Sequence, residues 1–257
     1  MFIFGLGYTA KKLADALVKD GWRIAATGSD GDVDFEDRNA VQAALHEVSH
    51  VLSSVPPDRD GGRDPVLDTY GRDFPSAWYG YLSSTGVYGD AGGAWVDEAS
   101  PTGTGRRSAR SDADALWLRL QARVFRLPGI YGPGRSAFDK VRDGSAHRID
   151  MPGQVFSRVH VDDIVGGVVR ALASDAPAGA YNLGDDLPAS HNAVTEEACR
   201  LLGVEPPPLQ TMDQAGLSPM ARGFYAENRR VANGKAKRVL GWRLRYPTYR
   251  EGLRSLL

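Results

Sequence analysis

The sequence is short of cysteine, of long apolar runs and of net charge, and each shortage excludes a class of protein. A single cysteine, Cys199, among 257 residues excludes an internal disulfide, and no group of cysteines and histidines has zinc-site spacing. The formal net charge is −1 and the arginines are scattered, so neither nucleic acid nor a membrane surface is an expected partner. No apolar run approaches the length of a membrane span, and the N-terminus lacks the basic region of a signal peptide. We therefore expect a cytoplasmic protein without a metal.

Glycines stand near the N-terminus in a pattern that follows a short apolar run. Residues 2–4 are apolar and lead directly into Gly-x-Gly-x-x-Ala, which begins at Gly5, and apolar residues then recur at helical spacing. In such a strand–turn–helix, Gly5 makes the tight turn, Gly7 lets the backbone approach a pyrophosphate, and Ala10 lets the helix pack on the strand. The helix N-terminus offers free N–H groups and partial positive charge to the anion. The pattern predicts a dinucleotide site.

A second strand-like run, 22–27, ends in a polar turn that contains Ser29 and Asp30. In dinucleotide sites an acidic residue about 20 positions past the glycines binds the ribose hydroxyls, and Asp30 lies near that position. The alternative is an ordinary solvated turn aspartate. The turn contains no arginine for a 2′-phosphate, which favours NAD over NADP.

Strand-like and helix-like segments alternate through the first half of the chain, and Val33–Phe35 is one of the short strand candidates. This alternation predicts an α/β fold with a Rossmann-like, doubly wound parallel sheet, whose ligands bind at the carboxyl ends of the strands. We expect a Rossmann domain over 1–127, to which 155–185 return. A smaller C-terminal α/β substrate domain is expected over 128–154 and 186–257.

Several short motifs occur in order along nearly the whole chain. Residues 34–37 read Asp-Phe-Glu-Asp, 84–89 read Ser-Thr-Gly-Val-Tyr-Gly, 126–135 read Arg-Leu-Pro-Gly-Ile-Tyr-Gly-Pro-Gly-Arg, and 159–163 read Val-His-Val-Asp-Asp. Together with the glycine loop, they resemble motifs of the extended short-chain dehydrogenases/reductases, the NAD-dependent epimerase/dehydratase family. The resemblance implies an NAD(P)-dependent oxidoreductase or epimerase/dehydratase-like enzyme, a homodimer, and a small polar substrate such as a sugar nucleotide. The alternative is a non-catalytic dinucleotide-binding redox sensor or scaffold.

The resemblance also reveals a gap in the family's catalytic set. Ser84 matches the catalytic serine, but residues 101–117 contain neither the tyrosine nor the lysine of the family's Tyr-x-x-x-Lys. The alignment places Arg106 and Arg110 at those positions, and arginine, which is always protonated, cannot act as acid or base. We therefore expect an atypical member of the family, in which Arg110 is either a fixed cation beside the ribose or a solvated surface arginine.

Other side chains are candidates for the missing proton donor. Tyr88 and Tyr131 follow predicted strands, and His160 lies within an apolar run. Each has an alternative structural role, the tyrosines as packing residues and the histidine as a hydrogen-bonded core residue.

The remaining expected site residues belong to the coenzyme cleft or to the substrate. Those expected at the coenzyme are Gly5, Gly7, Tyr8, Thr9, Ser29, Asp30, Asp34, Phe35, Ser53, Ser54, Ser83, Pro128 and Ile130. Those that the resemblance implies for an anionic substrate are Arg135, Arg158 and Arg222. Surface arginines are common, so a solvated side chain is the alternative for each of these three.

Overall fold

The structure is a computed structural model that describes residues 1–58, 62–105 and 108–257, with Met220 described for its backbone only. The helices are α1 (Tyr8–Lys19), α2 (Arg38–His46), α3 (Pro65–Tyr70), α4 (Ser108–Arg119), α5 (Ala137–Arg142), α6 (Val161–Leu172), α7 (His191–Leu202), α8 (Pro219–Tyr225), α9 (Gly234–Leu240) and α10 (Tyr249–Arg254). The strands are β1 (Phe2–Phe4), β2 (Ala25–Ala26), β3 (His50–Ser53), β4 (Trp78–Ser84), β5 (Trp95–Val96), β6 (Arg123–Leu127), β7 (Gly129–Tyr131), β8 (Arg148–Ile149), β9 (Arg158–His160), β10 (Gly179–Asn182), β11 (Leu209–Gln210) and β12 (Arg230–Val231).

Six parallel strands form the central sheet, in the order β10-β6-β4-β3-β1-β2. Three pairs of short strands, β7 with β9, β8 with β11 and β5 with β12, lie outside it. The predicted Rossmann-like parallel sheet is confirmed. Within the described ranges, no helix is long and apolar enough to cross a membrane.

The sheet is buried on both faces, which explains the continuous apolar run at the N-terminus. Alternate residues of a strand point to opposite faces. Accordingly, Ile3 belongs to the core formed with α1, α6 and α9, whereas Phe2 and Phe4 belong to the core formed with α2, α3 and α4. A strand that contacts helices on both faces must therefore be apolar at every position.

The C-terminal part contributes to two different cores. Phe138, Ala198, Tyr249 and Leu253 form a small core of their own. Residues 236–242 instead add apolar side chains to the large core beside α6 and β10. This stretch of the predicted small domain therefore packs on the large one, and the predicted domain boundaries stay a prediction.

The region after β2 differs from the strand predicted over Val33–Phe35. The structure has only a single bridge there, between Thr27 and Val33. The Asp34 carboxylate accepts a hydrogen bond from the Glu36 amide (3.0 Å) and so turns the chain towards α2. Aspartate side chains stabilise such turns at the expense of strand structure.

Candidate functional site

A cavity of about 1170 Å³ extends along the carboxyl ends of the central strands. Its lining comes from the loop after β1, the ends of β3, β4 and β6, and the C-terminal segments around α5, α7 and α8. This is the edge of an open α/β sheet at which ligands bind.

The glycine loop forms one end of this cavity. Gly5 has a φ of +81° and accepts a hydrogen bond from the Gly7 amide at 2.8 Å. Gly7 begins α1 without any side-chain cap, so the first helical N–H groups, those of Tyr8, Thr9 and Ala10, have no intrahelical partner. A Cβ built on Gly7 meets no atom within 4 Å, whereas one on Gly5 lies 2.9 Å from Val55. The loop thus has free donors and open space in front of Gly7, as a bound pyrophosphate requires.

Tyr8 reaches across the cleft to the turn after β7. Its hydroxyl donates to the Pro133 carbonyl at 3.1 Å, and the Arg135 guanidinium lies 5.7 Å from the centre of its ring. Arg135, predicted as a substrate ligand, therefore lies beside the glycine loop. Its charge is placed to act on a bound coenzyme as well as on a substrate.

The four residues expected near the ribose and adenine lie away from the cavity, and Asp34 and Phe35 have structural partners. Ser29, Asp30, Asp34 and Phe35 are all outside the described lining of the cavity. The Asp34 carboxylate holds its own turn, and the Phe35 ring packs edge-on against Tyr70 at 5.3 Å. Asp34 and Phe35 thus have local packing roles in this structure.

Asp30 has a partner that sequence reasoning missed. The ammonium group of Lys11, on the first turns of α1, donates to the Asp30 carboxylate, and both side chains are about half exposed. The two residues are 19 positions apart, so only the return of the chain after β2 reveals the pair. The turn that contains Asp30 has no arginine of its own, but Lys11 places a positive charge beside it.

Ser53 and Ser54 follow each other at the end of β3 but face different surroundings. Ser53 is fully buried and accepts from the Val55 amide at 3.3 Å. Ser54 lines the cavity and its hydroxyl donates to the Gly5 carbonyl. Ser54 thus fixes the glycine turn and borders the coenzyme cleft.

Ser84, Arg110, Pro128 and Ile130 all line the cavity. The Ser84 oxygen accepts from the Gly86 amide at 3.1 Å and so caps a 3₁₀ turn over Thr85–Tyr88. This bond leaves the Ser84 hydroxyl proton for a ligand. Arg110 lies on α4, and its charge opposes the rise that burial causes in the pKa of Tyr81. Arg106 lies outside the described residues.

A buried polar network lies directly behind Ser84. The Ser83 hydroxyl donates to Asp114 at 2.7 Å, and Arg126 donates twice to the same carboxylate at 2.7 and 3.1 Å. Arg126 also donates to the Tyr88 hydroxyl (2.9 Å), which donates to Asn182 (2.8 Å). Burial raises the pKa of Tyr88, and its ring is not part of the described lining. Tyr88 is a member of this network and is not placed to protonate a ligand.

Tyr131 contributes to the lining of the cavity, but its hydroxyl group is buried, as is the His160 ring. The Tyr131 hydroxyl is buried against Gly252, and it has no hydrogen-bond partner among the described residues. Burial raises its pKa. His160 accepts from the Asp162 amide at 3.2 Å at the start of α6, and burial lowers its pKa. In this structure all three proton-donor candidates have their polar atoms buried or hydrogen-bonded within the protein.

The predicted substrate arginines are separated by the fold. Arg158 lines the cavity and donates to the Ala189 carbonyl at 3.1 Å. Arg222 pairs with Asp213 at 2.9 Å, is 41% exposed, and is absent from the described lining. It lies on α8, whose Ala221 and Tyr225 do face the cavity, so the helix turns the Arg222 side chain away.

No protein-family model matches the chain. A functionally unknown conserved protein from Silicibacter pomeroyi is 42% identical to it, with a TM-score of 0.87 over 99% of this chain and 96% of that one. Identity and coverage at this level place the two chains in one family. A 3-diazoavenalumate denitrifying reductase from Streptomyces sp is 34% identical over 148 residues, which are 52% of this chain and 46% of that protein. The chain thus matches about half the length of this relative.

The fold is also that of a human epimerase family protein, SDR39U1, solved with NADPH. The TM-score is 0.77 over 100% of this chain and 99% of that one, at 16% identity. At this identity the likeness concerns the fold, and it confirms the fold implied by the sequence motifs.

Proposed function

We propose, from the premise that this chain is an atypical member of the extended short-chain dehydrogenase/reductase family, that it is an NAD(P)-dependent reductase without a general acid of its own. One observation carries the proposal. Ser84 and Arg110 line the same cavity as the glycine loop, whereas the polar atoms of Tyr88, Tyr131 and His160 are engaged or buried elsewhere. The donors and the open space at Gly7 fit a dinucleotide, which supplies hydride when bound.

In this proposal the residues beside Ser84 act by charge and hydrogen bonding. The Ser84 hydroxyl donates to the atom that gains electron density when the acceptor is reduced, and Arg110 places a fixed positive charge beside it. One such donor is worth roughly 10²–10³ in rate. A placed general acid is worth roughly 10²–10⁴, so a reductase without one needs an acceptor that takes its proton from water or needs none in that step.

The Streptomyces relative supports a reductase with an unusual acceptor. The name of the Streptomyces relative describes the reduction of a diazo compound, which is an acceptor other than a simple carbonyl. That match covers about half of each chain, so an acceptor of this class is proposed for the present protein and is not shown by the match. Acceptors that this protein could reduce in this way are carbonyl, iminium and diazonium compounds. The carbonyl compounds include the small polar substrates of epimerase-like enzymes.

Coenzyme preference in this proposal depends on Lys11 and Asp30. A free Asp30 carboxylate suits the ribose hydroxyls of NAD, whereas Lys11 suits the 2′-phosphate of NADP. Since the two side chains pair with each other, either coenzyme can recruit one of them. Titration of the protein with NADH and with NADPH, side by side, measures which recruitment is favoured.

The function is tested by oxidation of NADH or NADPH with a panel of carbonyl, iminium and diazonium acceptors. For an acceptor that is turned over, we expect Ser84→Ala and Arg110→Met to lower kcat by about 10²-fold with coenzyme affinity changed little. Arg119→Met, an exposed substitution at the other end of α4, is the matched control. Tight coenzyme binding with no oxidation in any arm would favour the redox sensor or scaffold instead.

A further inference from the structure

The C-terminal side of the cavity has a wall of aromatic and imidazole rings. His147 stacks on His191 with ring centres 4.7 Å apart, and Phe156 packs edge-on against Tyr225 at 5.5 Å. Tyr225 lies 6.4 Å from both histidine rings, so the rings form one continuous surface. All of them line the cavity and all are partly buried. This surface, the ring wall, is defined by Phe156, His147, His191 and Tyr225.

One of the two imidazoles in the ring wall is neutral near pH 7. Burial, followed by the electrostatic effects of His147 and Arg158, lowers the pKa of His191 to about 4, so this imidazole is neutral at pH 7. The polar atoms of His147 and Tyr225 lie 3.1 Å apart and bond to each other. The wall therefore presents ring faces to a ligand, and its polar groups without a partner among the described residues are imidazole nitrogens.

Arg158 stands at the edge of the ring wall. Phe156 and Ala189 exchange two backbone hydrogen bonds of 3.0 and 3.1 Å, which hold the chain before Arg158 beside the chain before His191. The single Arg158–Ala189 bond uses one donor of the guanidinium, which has several. Within the described residues, no carboxylate lies at ion-pair distance from Arg158.

The other charged groups near the wall have partners of their own. Arg229 donates to the Gly89 carbonyl at 2.6 Å and pairs with Glu227 at 2.8 Å. Asp139 accepts from the Ser136 amide and hydroxyl at the start of α5. Asp143 accepts from Ser145 and lies 3.8 Å from Lys140. Arg158 thus lies near the wall and keeps donors for a ligand, and the charge that acts on it most strongly is that of the buried Asp185 carboxyl.

We propose that the ring wall and Arg158 form a subsite for a planar aromatic carboxylate. The ligand ring lies against the wall, where offset or edge-to-face contacts with aromatic rings are favourable. The carboxylate takes a two-point hydrogen bond from the planar guanidinium. The inference rests on the proposed reductase function and deepens it by naming the substrate class.

A sugar nucleotide fits this subsite less well. A sugar ring carries several hydroxyl groups that must find polar partners when buried, and the ring wall offers mainly ring faces, with imidazole nitrogens as its polar groups. At the ring wall a diphosphate carries more negative charge than the Arg158 guanidinium offsets, because Arg229 is bound within the protein and Arg135 lies beside Tyr8 at the glycine loop. The chemistry of the subsite therefore matches one carboxylate attached to an aromatic system.

Calorimetric titration of the coenzyme-loaded protein tests the subsite, with cinnamate as the probe. Cinnamide, which keeps the ring and lacks the charge, should bind about tenfold or more weakly. Arg158→Gln should weaken cinnamate by a similar factor and change cinnamide affinity far less, because it removes the charge that pairs with the carboxylate, while the loss of the Arg158–Ala189 bond affects both ligands alike. Phe156→Ala should weaken both compounds. Arg200→Gln, on the exposed side of α7, is the matched control and should change neither affinity.

The outcomes separate this inference from the proposed function. Equal cinnamate affinity in Arg158→Gln and the wild type would overturn the subsite, as would uridine diphosphate binding more tightly than cinnamate in an Arg158-dependent manner. If either result were obtained while the protein still bound coenzyme and reduced an acceptor, the proposed reductase function would remain supported. Cinnamate binding that depends on Arg158, in a protein that binds no coenzyme, would sustain the subsite and contradict the reductase.

Discussion

At the scale of single residues, Gly7 has the clearest expected effect on coenzyme binding. Its φ is ordinary for any residue (−84°), and no protein atom lies within 4 Å of a Cβ placed there. We predict that Gly7→Val abolishes binding of NADH and NADPH while the melting temperature of the free protein stays the same. Fluorescence titration and thermal unfolding measure the two effects.

Gly5 provides the contrast to this prediction. Its φ of +81° and the 2.9 Å approach to Val55 mean that Gly5→Val must strain the backbone and displace a side chain. We expect Gly5→Val to lower the free energy of unfolding. The two variants then distinguish Gly5, which the fold requires, from Gly7, which the ligand requires. Normal coenzyme titration by Gly7→Val would contradict the assignment of the loop.

Asp185 should give the fold a pH dependence. Burial raises the pKa of its carboxyl to about 7, against the opposing charge of Arg158. Between about pH 4 and pH 7 the folded protein keeps a proton that the unfolded chain releases, so this contribution is complete at low pH and is lost as the pH rises. The loss is at most about 1.4 kcal/mol per pH unit in that window.

The comparison of Asp185→Asn with the wild type isolates this contribution. His191, whose pKa is lowered to about 4, changes stability in the opposite direction below about pH 6.5, and the difference between the two proteins cancels it. Urea unfolding should show wild-type stability falling relative to Asp185→Asn as the pH rises. A difference that is constant with pH would contradict an elevated pKa.

At the scale of elements, the ion pair between Asp114 and Arg126 joins α4 to the central sheet. Both side chains are at most 4% exposed, and the network includes Ser83 from β4 and, through Tyr88, Asn182 from β10. We predict that Asp114→Ala costs about 3–5 kcal/mol of unfolding free energy, because it leaves the Arg126 charge buried and unpaired. Urea unfolding measures this loss.

An exposed pair provides the control for this prediction. Arg200→Ala breaks a pair of similar length, 2.7 Å, at the protein surface, and should leave the urea midpoint unchanged. Equal effects of Asp114→Ala and Arg200→Ala would show that the buried network contributes no more than a surface pair.

Elements with local signals were predictable from sequence, and contacts between distant segments were not. The apolar run at 2–4, the glycines and the helical spacing after them specify β1 and α1 within about twenty residues of chain. Lys11 meets Asp30 only because the chain returns beside β1, and Arg158 meets His191 only because Phe156 pairs with Ala189. The spacing of residues along the sequence does not show which distant segments come into contact. The ring wall and the lysine beside Asp30 could therefore not be predicted from the sequence.

Side-chain direction was the other unpredictable quantity. The arginine content of the C-terminal part suggested substrate ligands, but α8 turns Arg222 towards Asp213, while Arg135 lies beside Tyr8. The motif that contains Tyr88 correctly indicated that the turn after β4 borders the cavity. Its hydroxyl, however, points back into the network of Arg126 and Asn182, which no motif specifies.

At the scale of the whole molecule, the parallel sheet brings the ends of β1, β3, β4 and β6 to one edge, and the C-terminal segments cover that edge. The cavity therefore runs from the glycine loop past Ser84 and Arg110 to the ring wall and Arg158. In our account the coenzyme occupies the first part and the hydride acceptor the last.

A crystal structure of the protein with bound NADPH or NAD tests this account most directly. We predict that the pyrophosphate lies on the free N–H groups of Tyr8 and Thr9, and that the nicotinamide ring lies beside Ser84 and Arg110. Open space should extend from its C4 atom towards Arg158. A dinucleotide bound away from Gly7, or a nicotinamide ring directed out of the cavity, would contradict the account.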